Sequence, residues 1–279
     1  MRKNCVRVKK VDAVHGIMPF LMKKRTEAEV YYVERIDVTN LLKYLDKINE
    51  GKEKHEKTTL FHAVITATAK TVYNRPLLNR FISGQRYYDR TNMLFGFVAK
   101  NKLEDNAEER LIILDVKNNM NLKTLSEKVL SIVSKTRNDN SNGMNDILGV
   151  VTKFPRWLLN LVMSLVRWLD YHGILPSFLS DGDINFTTVM FSNLGSVKAN
   201  CCYHHLNNYG TNSIVCTIGI IKEEKIGKTT KKTVDFGFTL DERIADGVYF
   251  INSIKIFKHI LENPKLLEDS INSNLIIER

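Results

Sequence analysis

The sequence predicts an α/β protein built on a mixed sheet, and three observations carry that prediction. Runs rich in β-branched and aromatic residues stand between amphipathic helical stretches along the whole chain. They do not alternate in the regular strand–helix–strand order that builds a purely parallel sheet. The 279 residues, 43% hydrophobic and 26% charged, suffice for one large core, and no internal repeat or low-complexity tract divides them.

"AEVYYVERIDV" (28–38) has the rough two-residue alternation of a strand. "TNLLKYLDKINEG" follows as a helix, with Thr39 or Asn40 as cap, Leu41, Leu42, Leu45 and Ile48 on one face, and Gly51 as stop. Residues 58–74 read as a largely buried helix ending before Arg75-Pro76, because a residue preceding proline is pushed out of helical conformation. "MLFGFVAK" and "RLIILDV" are strands joined by the polar turn "NKLEDNAEE". A helix over 124–136 opens with Thr124 and Glu127 at capping-box spacing and repeats Leu125, Val129, Ile132 and Val133 on one face. "RNDNSNGMND" reads as a loop. Strands are expected at 185–191, 213–221 and 232–240, and a helix at about 246–262, after which "ENPKLLED" ends the ordered region.

One segment departs from an ordinary soluble helix. In "PRWLLNLVMSLVRWLDYHGILPSFL" (155–179), Arg156, Asn160, Ser164, Arg167 and Tyr171 form a narrow polar stripe beside a very broad apolar face. It is too short and too interrupted to span a bilayer, which needs about 20 apolar residues. Two tryptophans and two arginines suit a membrane interface, with peripheral contact through 155–171, or an acyl-chain tunnel. The plainer alternative is a helix buried in a core or a subunit interface.

The formal charge is +10, which predicts attraction to anions such as phosphorylated cofactors, nucleic acid or anionic lipid. Eight of the basic residues fall within 1–25, opposed by Asp12 alone. The basic residues are not interleaved with aromatics in an RNA-binding pattern, so nucleic acid is not the expected partner. Cys5, Cys201, Cys202 and Cys216 show no CxxC spacing, so neither a disulfide framework nor a metal site is expected. The N-terminus lacks the apolar core of a secretion signal, and a reducing, cytoplasmic setting fits best.

The order of these pieces resembles the catalytic domain of the 2-oxo acid dehydrogenase acyltransferases, the E2 family. "GIMPFLMKKRTEAEVYYVERIDVTNLLKYLDKIN" is similar to that domain's opening, "INFTTVMFSNLG" to its "TFTISNLG" segment, "SIVCTIGIIKEE" to its "ailaiG" strand, and "FTLDERIADGVYF" to its "lsyDHRvvDGa" motif. The resemblance runs from about residue 10 to 265. It implies a chloramphenicol acetyltransferase-like fold, a two-layer α/β sandwich that assembles as a homotrimer. The chain then divides into a basic arm at 1–10, one acyltransferase-like domain at 11–265 with an amphipathic insertion at about 146–180, and a tail at 266–279. No lipoyl domain is expected, hence no covalently bound lipoyl group. A bacterial subgroup of stand-alone proteins with a "DERIADG"-type motif and a "YHHL" segment is also similar.

The resemblance also implies site residues. In the family a histidine deprotonates the thiol of coenzyme A or dihydrolipoamide, and a serine hydroxyl from the neighbouring subunit stabilises the oxyanion. Ser192 matches that serine, and Asp246 matches a structural aspartate that usually pairs with an arginine. Glu242 stands where the histidine would. A thiol near pKa 8.5 and a carboxyl near 4.3 differ by about four units, so the transfer to Glu242 is uphill by roughly 5–6 kcal/mol. Burial would narrow that gap, as would Asp246 at i+4 on a helix, whereas an ion pair with Arg243 would hold it open. His204 and His205, in "CCYHHLNNYG", offer imidazoles of the right ordinary pKa. Adjacent side chains in an extended loop point in opposite directions, so one of them at most faces a given pocket, and a loop histidine bonded structurally is the simpler reading. His62 reads as a satisfied core residue, and His15, His55, His172 and His259 carry no signal. The expected activity is acyl transfer from a small-molecule thioester, acyl-CoA, to an acceptor the sequence does not name. The alternative is a catalytically inactive trimer that binds or scaffolds, at an anionic membrane.

Overall fold

The computed structural model describes residues 3–100, 109–138, 149, 152–227 and 229–275. The chain opens with β1 (Cys5–Arg7), α1 (Ala13–Leu21), β2 (Glu29–Asp37), α2 (Thr39–Ile48) and α3 (Leu60–Asn74). There follow β3 (Arg80–Ser83), β4 (Arg86–Arg90), β5 (Met93–Lys100), β6 (Glu109–Val116) and α4 (Leu122–Asn138). After α5 (Arg156–His172) come β7 (Val189–Asn193), β8 (Ile214–Ile226), β9 (Thr229–Asp241) and α6 (Gly247–Glu262).

Six strands form one sheet in the order β2-β9-β8-β7-β5-β6, in which β7 runs parallel to both neighbours and the other pairs are antiparallel. Alternation in β9 sends Val234, Phe236, Phe238 and Leu240 to a helical layer, where Phe257 of α6 meets the rings of Phe236 and Phe238 at 5.3 and 5.7 Å. Phe61 of α3 meets Phe97 and Phe191 in the same layer. Helix α3 is buried from His62 to Val72. Its threonines fit because Thr66, Thr68 and Thr71 each return the hydroxyl to the carbonyl four residues back, at 2.8 Å. This is the two-layer α/β sandwich with a mixed sheet that the sequence predicts.

Among the described residues, the other face of the sheet carries no helical layer at β8 and β9. Residues 199–206 lie across it instead, with Ala199 accepting from the Ile220 amide and Tyr203 meeting Tyr31 of β2 in a tilted ring pair at 5.1 Å. Gly219 and Gly237 make the close approach feasible. A Cβ on Gly219 would come within 2.7 Å of the Cys201 amide, and one on Gly237 within 2.8 Å of the Cys202 carbonyl.

Several elements differ from the expectations. The strand expected at 185–191 begins at Val189: Asp183 caps a short helical turn at 184–186, and Thr187 and Thr188 are wholly buried, with Arg90 and Asn212 donating to the Thr187 carbonyl. Helix α4 starts two residues before the expected 124, because the reciprocal cap is Asn121 with Thr124 rather than Thr124 with Glu127. Residues 5–7 of the arm are an edge strand on β4. The segment read as a tail at 266–279 is packed through its described part, with Leu267 and Ile271 fully buried and Lys70 donating to the carbonyls of Asp269 and Ser270. The turn at 101–108 and most of the loop at 137–146 lie outside the described residues.

Helix α5 is not buried in the core of the chain. Trp157, Leu161, Leu165 and Trp168 are each more than half exposed along one face, and its C-terminal end rests on the β3–β4 turn. That turn is a two-residue hairpin connection with Gly84 and Gln85 both at positive φ. Among the described residues no helix is long and apolar enough to cross a membrane.

Candidate active site

Strand β2 begins where β9 ends, at the pair Glu29–Asp241, and the "DERIAD" turn leaves the sheet there. Asp241 is fully buried and gripped by Arg243 through two bonds of 2.7 Å, with Arg25 Nε 3.7 Å from the same carboxylate. A buried charge is tolerated when it is paired and hydrogen-bonded, and here the guanidinium groups also donate to the carbonyls of Met22 and Gly210. This cluster fixes the turn, and the Glu242 amide donates to the Ala28 carbonyl at 2.9 Å.

The cluster separates Glu242 from the pairings expected for it. Arg243 faces Asp241 and Met22, so it is not the ion-pair partner of Glu242. Residues 242–245 form a turn rather than a helix, which removes the i+4 helical stacking of Glu242 and Asp246. Asp246 caps α6, accepting from the Tyr249 amide at 2.7 Å, and the buried carboxylate paired with arginine is Asp241.

Glu242 and Asp246 line a cleft of about 300 Å³ whose walls are mostly apolar, among them Val30, Leu240 and Phe250. The same cleft is lined by His15, a residue that carries no signal in the sequence. Asp12 is the N-cap of α1 and accepts twice from this residue, from the His15 amide at 3.0 Å and from Nδ1 at 2.6 Å. The Asp12 carboxyl is held below its ordinary value first by the amide bond from His15. The only sequence signal was the spacing in "DAVH", which becomes informative once helix α1 is known to start there.

Ser192 lies elsewhere. In β7 the side chains of Val189 and Phe191 enter the core, so Ser192 points to the opposite face, level with Thr217 of β8 and Gly237 of β9. Glu242 is five residues further along β9 and two strands across. At ~3.3 Å per residue and ~4.8 Å between strands, the two are roughly 15–20 Å apart. No hydrogen bond engages the Ser192 hydroxyl among the described residues.

His204 and His205 sit in the segment that crosses the outer face of the sheet, and neither lines the Glu242 cleft. Their rings stack at 4.9 Å and 13° rather than pointing apart, because His204 Nδ1 turns back to donate to the His205 carbonyl at 2.9 Å. The structure therefore joins Glu242 and Asp246, adds His15, and sets Ser192 and the histidine pair on the far side.

A second cleft, of about 410 Å³, adjoins the first across the Glu242–Arg243 peptide. Lys23, Lys24, Arg25, Arg167 and Arg243 line it, against Asp170. Asp241 already balances part of the Arg25 and Arg243 charge, and Lys23, Lys24 and Arg167 are the other cations lining the cleft. Among the described residues there is no group of three or more His, Cys, Asp or Glu side chains able to hold a metal ion.

Residues 15–144 match the family model of the 2-oxoacid dehydrogenases acyltransferase catalytic domain, a little under half of the chain. No curated protein sequence matches. Among solved structures, the chain is similar to a probable dihydrolipoamide acetyltransferase from Listeria monocytogenes, with TM-score 0.60 and 14% identity over 97% of this chain and 98% of that one. It is equally similar to the Azotobacter vinelandii dihydrolipoamide acetyltransferase, with TM-score 0.60 and 12% identity over 93% of each chain, for which a serine, a histidine and an asparagine were investigated in the catalytic mechanism. A chloramphenicol acetyltransferase follows with TM-score 0.59 and 10% identity, over 94% of this chain and all of that one. The fold is that of the E2 acyltransferase cores and of chloramphenicol acetyltransferase, and the resemblance drawn from the sequence motifs holds.

Proposed function

We propose that this chain, which carries the E2 acyltransferase fold, moves an acyl group from a thioester, acyl-CoA, to a thiol or other nucleophilic acceptor, at a site completed between two copies. The observation that carries the reading is the separation of Ser192 from the Glu242 cleft. One chain holds an unengaged hydroxyl on one face of the sheet and a cleft with titratable groups at its end, too far apart to act on one acyl group. A second copy that sets its Ser192 at the cleft mouth joins them, as the family resemblance implies for a trimer.

The step needs three tasks performed. A base takes the proton of the acceptor, the freed electron pair forms a bond to the acyl carbon, and the carbonyl electrons move onto oxygen. The Ser192 hydroxyl donates to that oxyanion, and collapse expels the thiolate of coenzyme A, which takes up the proton. Glu242 stands at the position of the family histidine, and Asp246 four residues on caps the helix behind it. The apolar walls of the cleft suit an acyl chain. Lys23, Lys24 and Arg167 in the adjoining cleft suit the phosphates of coenzyme A.

The replacement of the family histidine by Glu242 favours a second reading, a catalytically silent scaffold. In that reading the open apolar face of α5, flanked by Arg156 and Arg167 in a chain of charge +10, meets an anionic membrane. Thiol release from acetyl-CoA and from longer acyl-CoAs separates the two. Turnover that falls by 10²-fold or more in Ser192→Ala, but survives in His204→Ala and His205→Ala, is the outcome expected here. Absence of turnover with every thioester, together with loss of liposome binding on deleting 155–171, would establish the scaffold instead.

A further inference from the structure

We infer that His15, oriented by Asp12, is the general base of the cleft that Glu242 lines. The inference rests on the acyl-transfer reading above and names the residue that takes over the proton transfer from the position now occupied by Glu242. The pairing of β2 with β9 brings Ala28 and Glu29 beside Asp241 and Glu242, and α1 folds back over that end of the sheet. The Tyr87 hydroxyl holds it there by donating to the His15 carbonyl at 2.7 Å. An imidazole from the N-terminal end of the chain is thereby delivered to the cleft at the end of β9.

The hydrogen bonding suits a base. A carboxylate can only accept, so the 2.6 Å contact between Asp12 Oδ2 and His15 Nδ1 puts the ring proton on Nδ1 and leaves the Nε2 lone pair free. That arrangement also stabilises the imidazolium formed once Nε2 takes a proton. For a thiol acceptor, Nε2 takes the S–H proton and the thiolate forms the new C–S bond to the acyl carbon. The C–S bond to coenzyme A breaks, and the departing thiolate recovers the proton from Nε2. Ordinary pKa values put the transfer from a thiol about a hundredfold uphill for an imidazole and about ten-thousandfold for a carboxylate.

Steady-state turnover of acetyl-CoA with a thiol acceptor tests the assignment on the full chain. His15→Gln is expected to lower kcat/KM by about 10²–10⁴-fold, and Glu242→Gln by less than about tenfold. Asp12→Asn keeps the helix cap, since asparagine and aspartate cap equally well, yet removes the charge behind the ring; a loss on the order of tenfold at unchanged Tm is expected. The acid limb of kcat/KM should vanish in His15→Gln and survive in Glu242→Gln. Among the described residues, the other titratable groups lining the cleft are Glu242, Asp246 and Tyr32, whose hydroxyl is bonded to Glu34, while Asp12 holds Nδ1 of the ring. Wild-type rates in a folded His15→Gln variant would overturn the inference. If wild-type protein turns over no acyl-CoA, the transferase reading falls by itself, and bromoacetyl-CoA then tests the placement of the ring. Alkylation at His15 Nε2, with loss of bromide, supports it, and labelling elsewhere or nowhere overturns it.

Discussion

Asp241 shows what single residues do here. Its carboxylate is buried between Arg243 and Arg25 and joins the end of β9 to the segment before β2. Asp241→Asn would leave two buried guanidinium groups short of their counter-charge, at a cost of about 3–5 kcal/mol in urea unfolding. His62 behaves oppositely, because its ring accepts from the Thr59 amide and burial pushes its pKa down to about 4. Between pH 4 and about 6.5 the unfolded chain takes up a proton that the folded chain refuses, so stability rises with pH across that window. Folding should lose about 3 kcal/mol on going from pH 7 to pH 4. His62→Gln, which can still accept from the cap amide, should abolish most of that dependence. At this scale the nearness of Glu242 to Asp246 at one cleft was legible because both sit in one contiguous motif, whereas the distance of Ser192 from that cleft was not. His15 and Arg25 were not legible either, because Glu242, which shares the cleft with His15, and Asp241, which pairs with Arg25, come close only after folding, each more than 200 residues away in sequence.

Elements were legible where alternation or periodicity was unbroken. Strands β2, β8 and β9 and helices α2, α3 and α6 fall within a few residues of their expected spans. Those that were missed are short and rich in charge, as in "RFIS" and "RYYDR" of β3 and β4, whose aromatic residues pack while their arginines pair along the edge. The described part of the C-terminal segment is packed where its polar composition predicts a tail, because a polar string can be held by one buried cation. Lys70 has no exposed surface, and its ammonium donates to two carbonyls and to the Ser273 hydroxyl. Lys70→Met keeps the buried stem but removes those bonds. It should cost about 1–3 kcal/mol and release residues 267–275, visible as faster amide exchange there than in α3.

For the whole molecule, the proposed function makes activity depend on assembly. In the closed ring of three which that reading calls for, each site would take its cleft from one copy and its serine from the next, so the contacts would be heterologous and every copy would contribute to two sites. Two inactive variants should then rescue each other. Ser192→Ala keeps the cleft, whereas His15→Gln keeps the serine. When equal amounts are unfolded and refolded together, a site is intact only where a good cleft meets a good serine, which is a chance of about one half times one half. Activity should return to about a quarter of the wild-type value, and mixing the preassembled variants without unfolding should return none until subunits exchange. A chain that completed its site alone would stay inactive in every mixture, so the size of the recovery measures the shared site directly.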